Sequence, residues 1–133
     1  MDGIEIRTAV ADDVERMFHV DGRNFGFSYT PEMIADGVPT LDLSRFRHAW
    51  DGDELVGVAG SFALDVTLPG GSSVPMGGVT WVSVSATHRR RGILTRLMDA
   101  VHADIDERGE PVASLGASES AIYERFGYGA ATV

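Results

Sequence analysis

The segment best equipped for chemistry runs Val79-Thr80-Trp81-Val82-Ser83-Val84 and then, through a short loop, Arg89-Arg90-Arg91-Gly92-Ile93-Leu94-Thr95. A β-type run passes through three arginines and a glycine straight into an apolar-periodic helix. The first amides of a helix have no partner within it, and the aligned peptide dipoles add positive potential there. Such a junction binds anions. Gly92 has no Cβ to hold a phosphate away, and guanidinium groups add charge-assisted bonds to phosphate oxygens. Four of the eleven basic residues fall between Arg89 and Arg96, in a stretch without an acid. A Walker A loop would need a lysine before Ser or Thr, and the chain has no lysine. The dinucleotide fingerprint needs three glycines, and one is present. The junction suits a pyrophosphate but matches neither common nucleotide loop.

Other chemistries are narrowed by composition. With no cysteine there is no disulfide, thiolate metal site or thiol nucleophile. His19, His48 and His102 are scattered without metal-ligand spacing, so no metal is expected; His88, beside the arginines, reads as structural or as a cofactor contact. The net charge of −9 disfavours nucleic acid as a partner. That charge is concentrated in residues 1–70, which carry −8, against −1 in residues 71–133. A positive spot on an acidic surface suits one anionic ligand and attracts cations elsewhere. No apolar run is long enough to span a bilayer, and the acidic N-terminus does not resemble a secretory signal. A cytoplasmic location is expected.

The elements that must position the junction follow from periodicity. Ile4 and Ile6 alternate with polar neighbours as a short strand, and Val14, Met17 and Phe18 open a helix stopped at Gly22. Pro31 to Asp36 forms a second short helix. Phe46 to Trp50, the Asp51-Gly52-Asp53 turn and Leu55 to Leu64 make a hairpin. After the Pro69-Gly70-Gly71 turn a strand runs from Gly78 to Val84. Ile93, Leu94, Leu97, Met98, Val101 and Ile105 line one helix face that ends at Gly109. Pro111 to Leu115 is a buried-type strand, Glu119 to Phe126 a short helix, and a final strand starts near Ala130. The order predicts an α/β domain with helices on the faces of a mixed sheet. The last strand is shorter than the usual five or six residues, so either the sequence is cut from a longer protein or another chain completes the edge.

The arginine-glycine junction resembles the acetyl-CoA motif of the GNAT superfamily, Q/R-x-x-G-x-G/A, with Leu94 standing where the motif has Gly or Ala. The string THRRRGIL at 87–94 and the later Ser118-Glu119 and Ile122-Tyr123, followed by Arg125-Phe126-Gly127-Tyr128-Gly129, are similar to the Eis (enhanced intracellular survival) branch of that superfamily. The likeness is close over 79–132 and only in outline before residue 70. It implies a GNAT fold: a mixed, mostly antiparallel sheet with helices on both faces and a truncated final strand. It implies that residues 1–133 are one GNAT domain, the N-terminal part of a longer multidomain protein. It implies acetyl transfer from acetyl-CoA to a primary amine of a cationic acceptor, an aminoglycoside-like molecule or a lysine side chain. The unfinished edge at Ala130 to Val133 separately predicts a homo-oligomer. By position, Val82, Ser83 and Val84 lie along the acetyl and pantetheine arm. Arg90, Arg91, Gly92, Ile93, Leu94 and Thr95 form the pyrophosphate loop, with Arg89 at its entrance. Ser118 and Glu119 line the cofactor's other side, and Tyr123 matches the general acid. A phenol, protonated at neutral pH, suits that role. In the family the base is thought to be the carboxylate at the end of the full-length chain, so this sequence leaves the base unassigned. Asp21, Asn24, Phe25 and Phe27 fall where such enzymes shape the acceptor pocket.

Overall fold

A computed structural model describes residues 3–116 and 121–129 of the chain. Five strands form one sheet in sequence order: β1 (Ile4–Thr8), β2 (Phe46–Asp51), β3 (Glu54–Thr67), β4 (Ser73–Val84) and β5 (Val112–Leu115). The first four pair antiparallel, and β5 joins β4 parallel. A parallel neighbour needs a long crossover, here supplied by the helix α3 (Ile93–Glu107). The expected mixed, mostly antiparallel sheet is therefore what forms.

Helices cover both faces. On one side α1 (Val14–Phe25) buries Met17 and Val20 against Phe46, Trp50, Leu55 and Val58. On the other, α3 buries Ile93, Leu97, Met98, Val101 and Ile105 against Ala49, Val56, Ala59 and Val79. Each fully buried side chain of this size contributes about 1.5–3 kcal/mol, so these stripes, not helix propensity, hold the helices in place. Between them α2 (Pro31–Gly37) begins where Thr30 caps the Met33 amide at 3.2 Å and Pro31 takes the first helical position. A short α4 (Ala121–Glu124) follows β5.

Several boundaries differ from the sequence reading: β3 runs on to Thr67 rather than Leu64, and two others have a clear physical cause. Gly22 does not end α1; the helix continues to Phe25, and Gly26, with φ +79°, is its left-handed cap. Gly22 is instead a packing glycine, since a Cβ there would come within 2.6 Å of the Phe27 carbonyl. Strand β4 starts at Ser73 rather than Gly78. Pro75 is tolerated because the pairing with β5 begins only at Met76, leaving β4 an edge before that point. The final strand expected from Ala130, and Ser118 and Glu119, lie outside the described residues.

Candidate active site

The junction from β4 to α3 forms as a left-handed nest. Arg90 has φ +65° and Gly92 φ +75°, and Gly92 stands at the helix N-cap with no side chain bonded into it. The first helical bond there runs from the Arg96 amide to the Gly92 carbonyl at 3.1 Å, so the amides of Ile93, Leu94 and Thr95 precede the helical ladder. A Cβ built on Gly92 meets nothing within 4 Å, which describes an open approach to the backbone. Arg89, Arg90 and Arg91 are exposed and have no acidic partner among the described residues. The side chains of Ile93 and Leu94 pack into the α3-side core, so these two positions offer only their amides to a ligand. Arg96 is committed elsewhere, donating to the Ile4 carbonyl at 2.9 Å.

His88 is structural. It is buried, bonded through Nε2 to Asp51 at 2.9 Å and through Nδ1 to Thr87 at 2.8 Å. The imidazole thereby staples the arginine loop to the β2–β3 turn. Trp50 is core as well, 4% exposed beneath the Arg7 and Arg16 guanidinium groups.

Beside the loop, β4 separates from β5. Their pairing ends at Val79–Leu115, so among the described residues the backbone edge of Thr80 to Val84 has no strand on that side. The same stretch carries a bulge: Val58 pairs Ser83 and Gly60 pairs Thr80, so Trp81 and Val82 together oppose Ala59. Trp81 sits at φ +58°, a left-handed conformation that costs a bulky residue about 1–3 kcal/mol. Aromatic neighbours hold it there, with Phe18 edge-on at 4.8 Å and Tyr29 stacked at 6.4 Å. Side chains alternate across the strand: Val82 and Val84 pack towards the α3 core, while Ser83 points to α1 and accepts from Asn24 Nδ2 at 2.5 Å.

The loop after α1 supplies an acid-phenol pair. Tyr29 donates to Asp21 Oδ2 at 2.7 Å. Burial holds the Asp21 carboxyl above its ordinary value, partly offset by the Tyr29 bond. Burial and the neighbouring carboxylate push Tyr29 up to about 12. Phe25 and Phe27 are exposed on this side. The Asp21–Tyr29 and Asn24–Ser83 bonds are not legible from spacing, since each needs α1 already folded against its partner.

Tyr123 lies half-buried against the α3-side core, as do Val82, Val84 and Leu94. Its hydroxyl has no hydrogen-bond partner among the described residues, and burial raises its pKa, keeping the phenol protonated at neutral pH. Tyr128 is tied down instead, bonded to His102 Nε2 at 2.7 Å. No group of acids and histidines with metal-binding geometry occurs among the described residues.

Comparison with known proteins identifies the family. The family described as an acetyltransferase (GNAT) domain matches residues 5–131. A Streptomyces avermitilis protein named as an N-acetyltransferase is 61% identical over 91 residues, covering 68% of this chain and 22% of its own length. The N-acetyltransferase Eis of Mycobacterium tuberculosis is 48% identical over 125 residues, covering 91% of this chain and 31% of its own. The crystal structure of Eis1 from Mycobacterium abscessus superposes with a TM-score of 0.83 at 42% identity, over 95% of this chain and 31% of that one. The chain thus spans less than a third of the length of these relatives. With an uncapped, arginine-flanked helix start beside an opened strand edge, and with these relatives, the chain belongs to the GNAT acetyltransferase family and resembles the N-terminal portion of Eis proteins.

Proposed function

We propose that this chain transfers the acetyl group of acetyl-CoA to a primary amine of a cationic acceptor, aminoglycoside-like or a lysine side chain. The observation that carries the reading is the left-handed nest at Arg90–Gly92 lying directly after the unpaired edge of β4. The amides of Gly92 to Thr95 take the pyrophosphate, and Arg89, Arg90 and Arg91 neutralise it. The pantetheine arm then lies along the β4 edge, where it replaces the missing strand. The acceptor enters from the α1 side, past Phe25 and Phe27, towards an acidic half of the chain that attracts cations.

In this reading the amine nitrogen attacks the thioester carbonyl, and backbone amides of β4 stabilise the developing oxyanion. The C–S bond breaks as the tetrahedral intermediate collapses. Tyr123 gives its proton to the departing thiolate, and the proton lost by the amine passes to a base that the described residues do not supply. Ser118 and Glu119 are proposed on the cofactor's far side from the family resemblance alone. The reading places the protein in the cytoplasm as a homo-oligomer; the oligomer is supported by β1, which among the described residues pairs with β2 alone and leaves an edge.

The test is acetyl-CoA turnover against a panel of amines, including aminoglycosides, polyamines and lysine peptides. CoA release that depends on a cationic amine is expected. CoA binding without turnover for any amine would replace this reading with a non-catalytic acyl-CoA-binding module.

A further inference from the structure

We infer that Asn24 is a positioning residue for acetyl transfer, acting through Ser83 on the β4 segment that meets the thioester. The inference rests on the acetyl-transfer reading above. Its starting point is the peptide between Ser83 and Val84. A Cβ on Gly57 would lie 3.3 Å from the Ser83 carbonyl, so that carbonyl faces β3. Across a trans peptide the N–H points the opposite way, which aims the Val84 amide at the open edge. The Ser85 amide continues the alternation, bonding the Val56 carbonyl at 2.8 Å. A displacement of Ser83 therefore moves the Val84 donor by about the same amount.

Ser83 is held along one strand edge, where it pairs with Val58 of β3. Towards β5 it has no strand partner among the described residues, and two residues earlier the chain passes through the Trp81 bulge, where the register shifts. A second hold, from the sheet face, comes from α1. Asn24, in that helix's last turn, reaches across to Ser83 Oγ at 2.5 Å, and the helix itself is anchored by fully buried Met17, Phe18 and Val20. The bond lies on the face opposite Val82 and Val84, so Asn24 orients the strand without touching the open edge. Tyr29, held by Asp21, braces Trp81 from the same side, so the bulge is gripped at both ends by α1 and the loop after it.

Misplacing an oxyanion donor by about 1 Å costs on the order of 100-fold in rate without weakening distant cofactor contacts. Asn24→Ala and Ser83→Ala should each lower kcat by about 10-fold to 100-fold, while calorimetry shows CoA affinity within about twofold of wild type. The double variant should be no slower than either single one, because both remove the same link. Asn24→Asp should recover the greater part of the rate, since a carboxylate accepts from the Ser83 hydroxyl and restores the bridge. Should Asn24→Ala fail to fold, Ser83→Ala and Asn24→Asp carry the comparison. A readout independent of turnover is the Val84 amide resonance, which should move on CoA addition in wild type and much less in Asn24→Ala. An unchanged kcat with an unchanged Val84 response, or additive losses in the double variant, would overturn the inference and leave acetyl transfer standing. A wild-type chain that does not bind CoA would overturn both.

Discussion

Replacing His48 with phenylalanine should remove the acid sensitivity that this buried imidazole gives the fold. The His48 ring is 1% exposed, and neither nitrogen has a hydrogen-bond partner among the described residues. Burial pushes its pKa from 6.5 down to about 4, against a weaker upward pull from Asp13. Arg7 stands across from it on β1, which offers no stabilisation to a second cation. The sign follows from proton counting. Above about pH 6.5 the imidazole is neutral in both states and contributes no pH dependence. Below that the unfolded chain takes up a proton that the native state refuses until about pH 4, so stability falls across this window and levels off beneath it. At about 1.4 kcal/mol per pH unit the penalty reaches about 2 kcal/mol near pH 5 and about 3 kcal/mol near pH 4. Urea unfolding of both proteins between about pH 7 and pH 4 measures it as the difference between two curves. Asp21, whose raised pKa acts in the opposite direction, is present in both and cancels. Parallel curves, with less than about 1 kcal/mol of divergence at pH 4, would refute the argument and mean that a proton reaches the ring at little cost.

Three further outcomes are expected. Arg90→Ala with Arg91→Ala should weaken CoA binding by about 1.5–3 kcal/mol per lost charged bond, and unchanged affinity by calorimetry would remove the loop from the cofactor site. Tyr123→Phe should lower kcat by about 100-fold to 10,000-fold with CoA affinity kept, and a rate above about a tenth of wild type would withdraw the general-acid role. Arg45 is buried with Glu110 and also donates to the Ser61 carbonyl and hydroxyl. Glu110→Gln should therefore cost about 3–5 kcal/mol in chemical denaturation by stranding a buried charge, and a loss below about 1 kcal/mol would show that water reaches the guanidinium.

The arginine-flanked helix start was legible because its cause is local. Arginines, a glycine and an apolar stripe from Ile93 to Ile105 specify a helix start and its charge without any tertiary contact. The two tryptophans show where legibility stops. Trp50 and Trp81 both alternate within strand-like runs, yet one is sealed core and the other sits in a left-handed bulge. The difference arises from register between β3 and β4, which no single strand encodes. Gly22 misled for a related reason: its role is to admit the Phe27 backbone, a contact made only after the chain has turned back at Gly26. The early half of β4 was missed because Ser73-Val74-Pro75-Met76-Gly77 carries a proline, tolerated where the strand is still an edge, and a glycine, whose missing Cβ makes room for Ile105.

The parallel seam between β4 and β5 also bears on the order in which the molecule is built. Strands β1 to β4 are joined to neighbours by antiparallel pairing, with short turns closing β2–β3 and β3–β4. Strand β5 meets β4 over only four residues, and the chain must first wind through α3 to bring Val112 beside Met76. Closing that larger loop costs more chain entropy before any contact repays it. The seam accordingly forms after the β2–β3 and β3–β4 hairpins, and with four residue pairs it is held by a shorter ladder than either of them. Amides of β5 should exchange with deuterium ahead of those in β3, and equal protection in both strands would contradict this sequence of events. A long ligand lying in the gap between the diverging strands would slow that exchange, so occupancy of the proposed cofactor gap would be readable in the amides of β5.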